Sequence, residues 1–136
     1  QYMDLFEVQT ERITLYDYET RPINELIMTC SMFMTDYSSV AWDAYYLGKP
    51  VVFYQFDRTQ YEKEQGSYLN LDTQLFGDQV TGVKDLFQAI LTYEYNDFRE
   101  RPENAARRKA YIPLQEDNHR ELVYEAIKPG LVDLEI

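Results

Sequence analysis

Hydroxyls and a carboxylate crowd into one short segment, Thr35-Asp36-Tyr37-Ser38-Ser39, between an apolar run at Met32 to Met34 and a stretch with helical apolar spacing, Val40 to Leu47. A strand that ends in a polar turn and opens a helix presents unpaired backbone amides and hydroxyls at one point, with the positive end of the helix close by. Such a point suits an anion, above all a phosphate. Ser38 as a nucleophile is disfavoured, since no histidine lies near it in sequence and the Gly-x-Ser-x-Gly elbow is missing. Plain capping of the following helix is the rival role for either serine. Asp36 sits in the turn and Asp43 on the helix, so the two need not face one site and do not support a carboxylate pair for acid–base work or magnesium.

Gly48-Lys49-Pro50 closes the helix, because glycine is favoured just past a helix end and proline cannot continue one. Val51-Val52-Phe53-Tyr54 then reads as a buried strand. Parallel strands joined by such a crossover pack right-handed, and ligands of these sheets lie beyond the carboxyl ends of the strands, where the Thr35 to Ser39 turn falls. Upstream, alternation over Arg12 to Tyr16 predicts a strand at Ile13 to Tyr16, and Pro22 starts a helix through about Thr29. Downstream, Gln55 to Gly77 reads as a long loop with short helical turns around Tyr61, of the kind that often contacts substrate. Apolar spacing predicts helices at Val83 to Thr92, Pro102 to Tyr111 and Arg120 to Ile127, the last stopped by Pro129-Gly130. The fold class is α/β, with parallel strands and flanking helices. Strands at Ile13, Met32 and Val51 are too few for a complete nucleotide-binding α/β sheet, so the chain is expected to be a fragment of a larger enzyme.

The blocks Phe33-Met34-Thr35-Asp36-Tyr37-Ser38-Ser39-Val40, Asp43, Lys49-Pro50-Val51-Val52-Phe53-Tyr54, Asp57 and Tyr61 together resemble the C-terminal region of the CDP-glycerol glycerophosphotransferases, the teichoic-acid primases and polymerases of Gram-positive bacteria. The resemblance runs from Ile13 to Ile127 and is strongest from Cys30 to Tyr61. It implies that residues 1–136 are the C-terminal half of a donor-nucleotide-binding, Rossmann-like domain in a two-domain (GT-B type) transferase. Ser38 and Ser39 would then contact the donor pyrophosphate through hydroxyl and backbone amide, while Thr35 and Asp36 shape the turn. Asp57, Asp117 and Arg120 are further candidates for substrate contact. At Asp117-Asn118-His119-Arg120 the chain departs from the family's Asp-Gly stretch, with Asn118 standing where a glycine is usual. The family's catalytic histidines precede this region, and His119 matches neither, so no catalytic residue is expected here.

The implied reaction moves glycerol phosphate from a CDP-glycerol donor to a polymer or lipid-linked acceptor of teichoic-acid or related cell-wall synthesis. The remaining N-terminal part of the enzyme would be a partner. The implied location is cytoplasmic and peripheral, at the inner face of the cell membrane. Two rivals stay open: a GT-B glycosyltransferase using a nucleotide sugar for capsule or wall polymer, and a noncatalytic interaction domain using an acidic, tyrosine-rich face.

Composition narrows the partners. A net charge of −11 argues against nucleic acid, which demands clustered lysine and arginine. Positive charge does gather at Arg99, Arg101, Arg107, Arg108 and Lys109. It reads as a solvated helix face balanced by Glu100 and Glu103, or as a hold on an anionic acceptor or headgroup. Cys30 is the only cysteine, so neither an intrachain disulfide nor a cysteine-based metal site can form; it reads as a small core residue. No metal or cofactor is expected. Walker A and Gly-x-Gly-x-x-Gly patterns are missing, which disfavours ATP hydrolysis and dinucleotide chemistry. Thirteen tyrosines suit half-wet surfaces or core and rim packing, because each ring carries a polar tip.

Overall fold

The computed structural model describes residues 10–16, 19–112 and 118–132. Along the chain run α1 (Ile23–Thr29), β1 (Phe33–Thr35), α2 (Ala41–Tyr46), β2 (Val51–Tyr54), α3 (Arg58–Glu64), β3 (Asp78–Val80), α4 (Val83–Tyr95), α5 (Pro102–Tyr111) and α6 (His119–Val132). The strands form one parallel sheet in the order β1-β2-β3, with Phe33 opposite Val51 and Val52 opposite Asp78. This is an α/β fold with helices flanking a parallel sheet, compatible with a Rossmann-like domain.

β2 is apolar throughout because it is covered on both faces. Val51 and Phe53 pack with Ile27 of α1, Ala41, Ala44 and Tyr45 of α2, and Leu71, Leu75 and Phe76 from the connection that precedes β3. Val52, of opposite parity, packs with Ala89 and Tyr93 of α4. α2 closes as the sequence predicts: Lys49 N–H donates to the Ala44 carbonyl and Gly48 N–H to that of Tyr45, each at 3.0 Å. Gly48 takes a φ of +69°, which glycine tolerates at this position of a Schellman turn. Pro50 follows, and its carbonyl accepts the Phe33 amide at 2.9 Å, so the helix stop also fixes the β1–β2 register.

Four expectations need correction. Ile13 to Tyr16 is not a strand: Ile13 makes only an isolated bridge to Thr10, and Ile13, Leu15 and Tyr16 are exposed. β3, unforeseen, completes the sheet from a three-residue strand. α6 runs through Pro129 to Val132 instead of stopping, because an interior proline removes one intrahelical bond without forbidding the next turn; its apolar residues Leu122, Val123 and Ile127 are exposed. The reading of the basic cluster holds only in part: Glu100 does balance Arg108, and Arg99 and Lys109 are exposed, but Arg101 and Arg107 have partners elsewhere in the fold. Arg108 pairs with Glu100 at 3.0 Å with both side chains largely buried, Arg101 reaches Asp78 at 2.6 Å, and Arg107 donates to the Leu75 carbonyl. Arg101 and Arg107 thereby tie α5 and the residue before it to β3 and the connection that precedes β3.

Candidate functional site

A cavity of about 430 Å³ lies beside the turn that follows β1. Asp36, Ser38 and Ser39 line its polar side, and Phe53, Trp42, Leu71, Leu75 and Phe76 line its apolar side. The turn is built from short local bonds. Asp36 Oδ1 accepts the Tyr37 amide at 2.6 Å and the Thr35 hydroxyl at 3.4 Å, so Thr35 and Asp36 shape the turn, and Thr35 is not among the cavity-lining residues. Ser38 Oγ accepts the Val40 amide at 3.3 Å, and the Ser38 and Ser39 carbonyls accept the amides of Ala41 and Trp42.

This narrows the expectation of a turn rich in unpaired amides. The amides of Val40, Ala41, Trp42 and Asp43 all have intramolecular acceptors, mostly of the tight three-residue type. The amides of Ser38 and Ser39 have none among the described residues. Both serines are exposed and line the cavity, so two consecutive amides without an acceptor stand at its rim, an arrangement able to hold a phosphate oxygen without a cation. No lysine or arginine is among the described residues lining the cavity.

Asp57, a candidate for substrate contact, has an intramolecular partner. It stands at the N-cap of α3 without a side-chain capping bond. Its carboxylate instead accepts the Tyr37 hydroxyl at 3.0 Å, and the Tyr37 ring stacks on Tyr61 with centroids 3.5 Å apart and planes 4° from parallel. Burial, then the hydrogen bond and charge of Asp57, push the Tyr37 hydroxyl's pKa well up, so it remains a donor. The tyrosine pair and Asp57 thus tie the β1 turn to α3 and brace the cavity wall.

Arg120 is exposed on α6 and is not among the lining residues. Its neighbour His119 meets the Tyr46 hydroxyl at 3.1 Å, at the opposite end of α2 from Ser38 and Ser39. Asp117 lies outside the described residues. Cys30 is half-buried, its thiol donating to the Ile27 carbonyl at 3.2 Å with its pKa raised by burial.

Sequence reasoning missed Gln55. It is 1% exposed, follows β2 directly, and lines the same cavity. The signal was available in strand parity: Val51, Phe53 and Gln55 alternate onto one face, so a polar residue continues an apolar row.

A sequence model of the family described as CDP-Glycerol:Poly(glycerophosphate) glycerophosphotransferase matches residues 4–128. The chain belongs to this family. The match covers the whole cavity. Among curated relatives, the chain is 28% identical over 102 residues to the minor teichoic acid biosynthesis protein GgaB of Bacillus subtilis, covering 75% of this chain and 11% of that protein. It is 29% identical over 97 residues to a teichoic acid poly(ribitol-phosphate) polymerase of Bacillus spizizenii, covering 71% of this chain and 14% of that protein. The chain therefore spans a small part of the relatives it matches. No solved structure matches it.

Proposed function

We propose that this chain is the donor-binding part of a transferase that moves glycerol phosphate from CDP-glycerol to a teichoic-acid or related cell-wall acceptor. The observation that carries the proposal is the pair Ser38–Ser39, with both amides unmatched among the described residues and both residues exposed, at the rim of a cavity beside the carboxyl end of β1. In this reading the two serines bind the donor pyrophosphate, and family membership supplies the glycerol phosphate and the polymer acceptor.

The chemistry is a displacement at phosphorus. The acceptor hydroxyl oxygen forms a bond to the phosphorus that carries glycerol, the bond from that phosphorus to the CMP oxygen breaks, and CMP leaves with the electron pair. The acceptor's proton passes to a general base, which the proposal assigns to the rest of the enzyme. Ser38 and Ser39 would stabilise the negative charge on the bridging oxygens. With hydroxyls and amides alone, their hold on phosphate is weaker than that of an arginine clamp. The enzyme would work as a peripheral protein at the inner face of the cell membrane, where a lipid-linked acceptor is presented, and the 136-residue chain alone would bind donor without turning it over.

An NMR titration of the labelled chain tests this, with CDP-glycerol, CDP and a UDP-sugar as ligands. The expected outcome is saturable shifts at the Ser38 and Ser39 amides, strongest for CDP-glycerol, that vanish in Ser39→Asp while its other resonances stay dispersed. Binding unchanged in Ser39→Asp removes the site. A stronger response to the UDP-sugar moves the enzyme to the glycosyltransferase class.

A further inference from the structure

We propose that Gln55 is the residue through which this cavity recognises a nucleobase, its side-chain amide donating to a ring acceptor of a bound pyrimidine. The inference rests on the reading of Ser38–Ser39 as a phosphate site and adds what lies at the other end of the same ligand.

The Gln55 amide nitrogen is buried without a hydrogen-bond partner among the described residues. A buried polar group left this way is unfavourable, and such groups are few in native proteins. The backbone explains why the side chain cannot escape. Gln55 N–H donates to the Val80 carbonyl at 2.8 Å and its carbonyl accepts the Arg58 amide at 3.3 Å, so the residue is pinned between β3 and α3. Parity with Val51 and Phe53 then turns the side chain toward the α2 face of the sheet, where the cavity lies. An apolar residue would complete the floor without this penalty. A carboxamide there gains its missing partner when a ligand with an acceptor enters the cavity and meets it.

The surroundings select what enters. Phe53, Leu71, Leu75 and Phe76 offer no hydrogen bonds, while Trp42 and Tyr61 offer aromatic rings. A polyol carries a hydroxyl on each carbon and would leave most of them unpaired against these walls. A pyrimidine is flat, buries its faces against rings and aliphatic side chains, and presents its polar atoms along one edge. A carboxamide, with a donor and an acceptor side by side, matches that edge. The ligand would run from phosphates at Ser38 and Ser39 to base at Gln55, within one cavity.

The experiment measures affinities of the intact chain and of Gln55→Leu for CDP, ribose 5-phosphate and inorganic pyrophosphate, with amide shifts at Ser38 and Ser39 reporting occupancy. Loss of one buried hydrogen bond weakens CDP by about tenfold, while ribose 5-phosphate and pyrophosphate are unaffected. Gln55→Leu removes an unpartnered amide, so it melts no earlier than wild type; Gln55→Met gives the same selective loss should leucine pack poorly. An unchanged affinity for CDP, or an equal loss for all three ligands, overturns the assignment of Gln55 alone. If no ligand shifts the Ser38 and Ser39 amides of the wild-type chain, the phosphate site falls and the base assignment with it.

Discussion

The two faces of β2 solve the same packing problem unequally. On the α2 side, Val51 and Phe53 meet a thick aromatic core in which Phe76 lies 4.2 Å from Tyr45 and 4.3 Å from Trp42, centroid to centroid. On the α4 side, Val52 meets only Ala89 and Tyr93 as buried neighbours. The outward side of α4 carries Val83, Phe87, Leu91 and Tyr95 at four-residue spacing, all exposed. The cavity is on the thick face. Its apolar wall, Phe53 with Leu71, Leu75 and Phe76, is made of close-packed side chains, whereas Ser38 and Ser39 stand exposed at its rim.

Deep truncations break this comparison most forcefully. Phe76→Ala should cost about 4 kcal/mol, because it leaves a hole among large rings that cannot collapse, while Val52→Ala should cost about 2 kcal/mol. Urea denaturation of both variants checks the order, and equal losses would make the faces equivalent. A smaller effect is expected at Tyr45, whose hydroxyl donates to the Asn104 carbonyl at 2.7 Å. Tyr45→Phe should lose about 1 kcal/mol at neutral pH.

The same hydroxyl gives the thick face a pH dependence. Burial, and next the Glu100 charge, push its pKa from 10.0 up to about 12. The folded state holds this proton more tightly than the unfolded state, so the contribution is fully present below the unfolded value and declines as pH rises through the folded one. Denaturation of wild type and Tyr45→Phe across that interval should show a steeper decline in the wild type, since Tyr37 and Tyr93, whose pKa values are also raised by burial, titrate in both. Least of all is expected from the outer side of α4: Phe87→Ser should change stability by no more than about 0.5 kcal/mol. A large loss there would mean that the thin face is supported from its exposed side.

The elements around the turn were legible because their signals are local. Pro22, the Gly48-Lys49-Pro50 stop, and the apolar run at Val51 to Tyr54 each act within a few residues, and each matches α1, the end of α2, or β2. β3 escaped because Asp78-Gln79-Val80 has one apolar residue; it is a strand through its pairing with Val52 to Tyr54. Ile13 to Tyr16 erred the other way, with strand-like alternation but only the bridge to Thr10. Within the cavity, Asp36, Ser38 and Ser39 were readable from residue type. Gln55 was legible only in part: strand parity places it on the face of Val51 and Phe53, but residue type alone does not show that it is buried and lines the cavity. The fates of Arg101, Arg107 and Arg108 depended on partners as distant as Asp78 and Leu75, which spacing along one helix cannot reveal.

The order in which the sheet is threaded bears on how fast the molecule assembles and comes apart. β1 and β2 are joined through α2, whereas the route from β2 to β3 passes through α3 and the long connection containing Leu71, Leu75 and Phe76. Closing the longer excursion loses more chain entropy, so the β1–α2–β2 unit is expected to form first and the cavity's far wall to dock late, after the rate-limiting barrier. A ligand held between the Ser38–Ser39 turn and that wall would then leave the folding rate unchanged and slow unfolding in proportion to its occupancy.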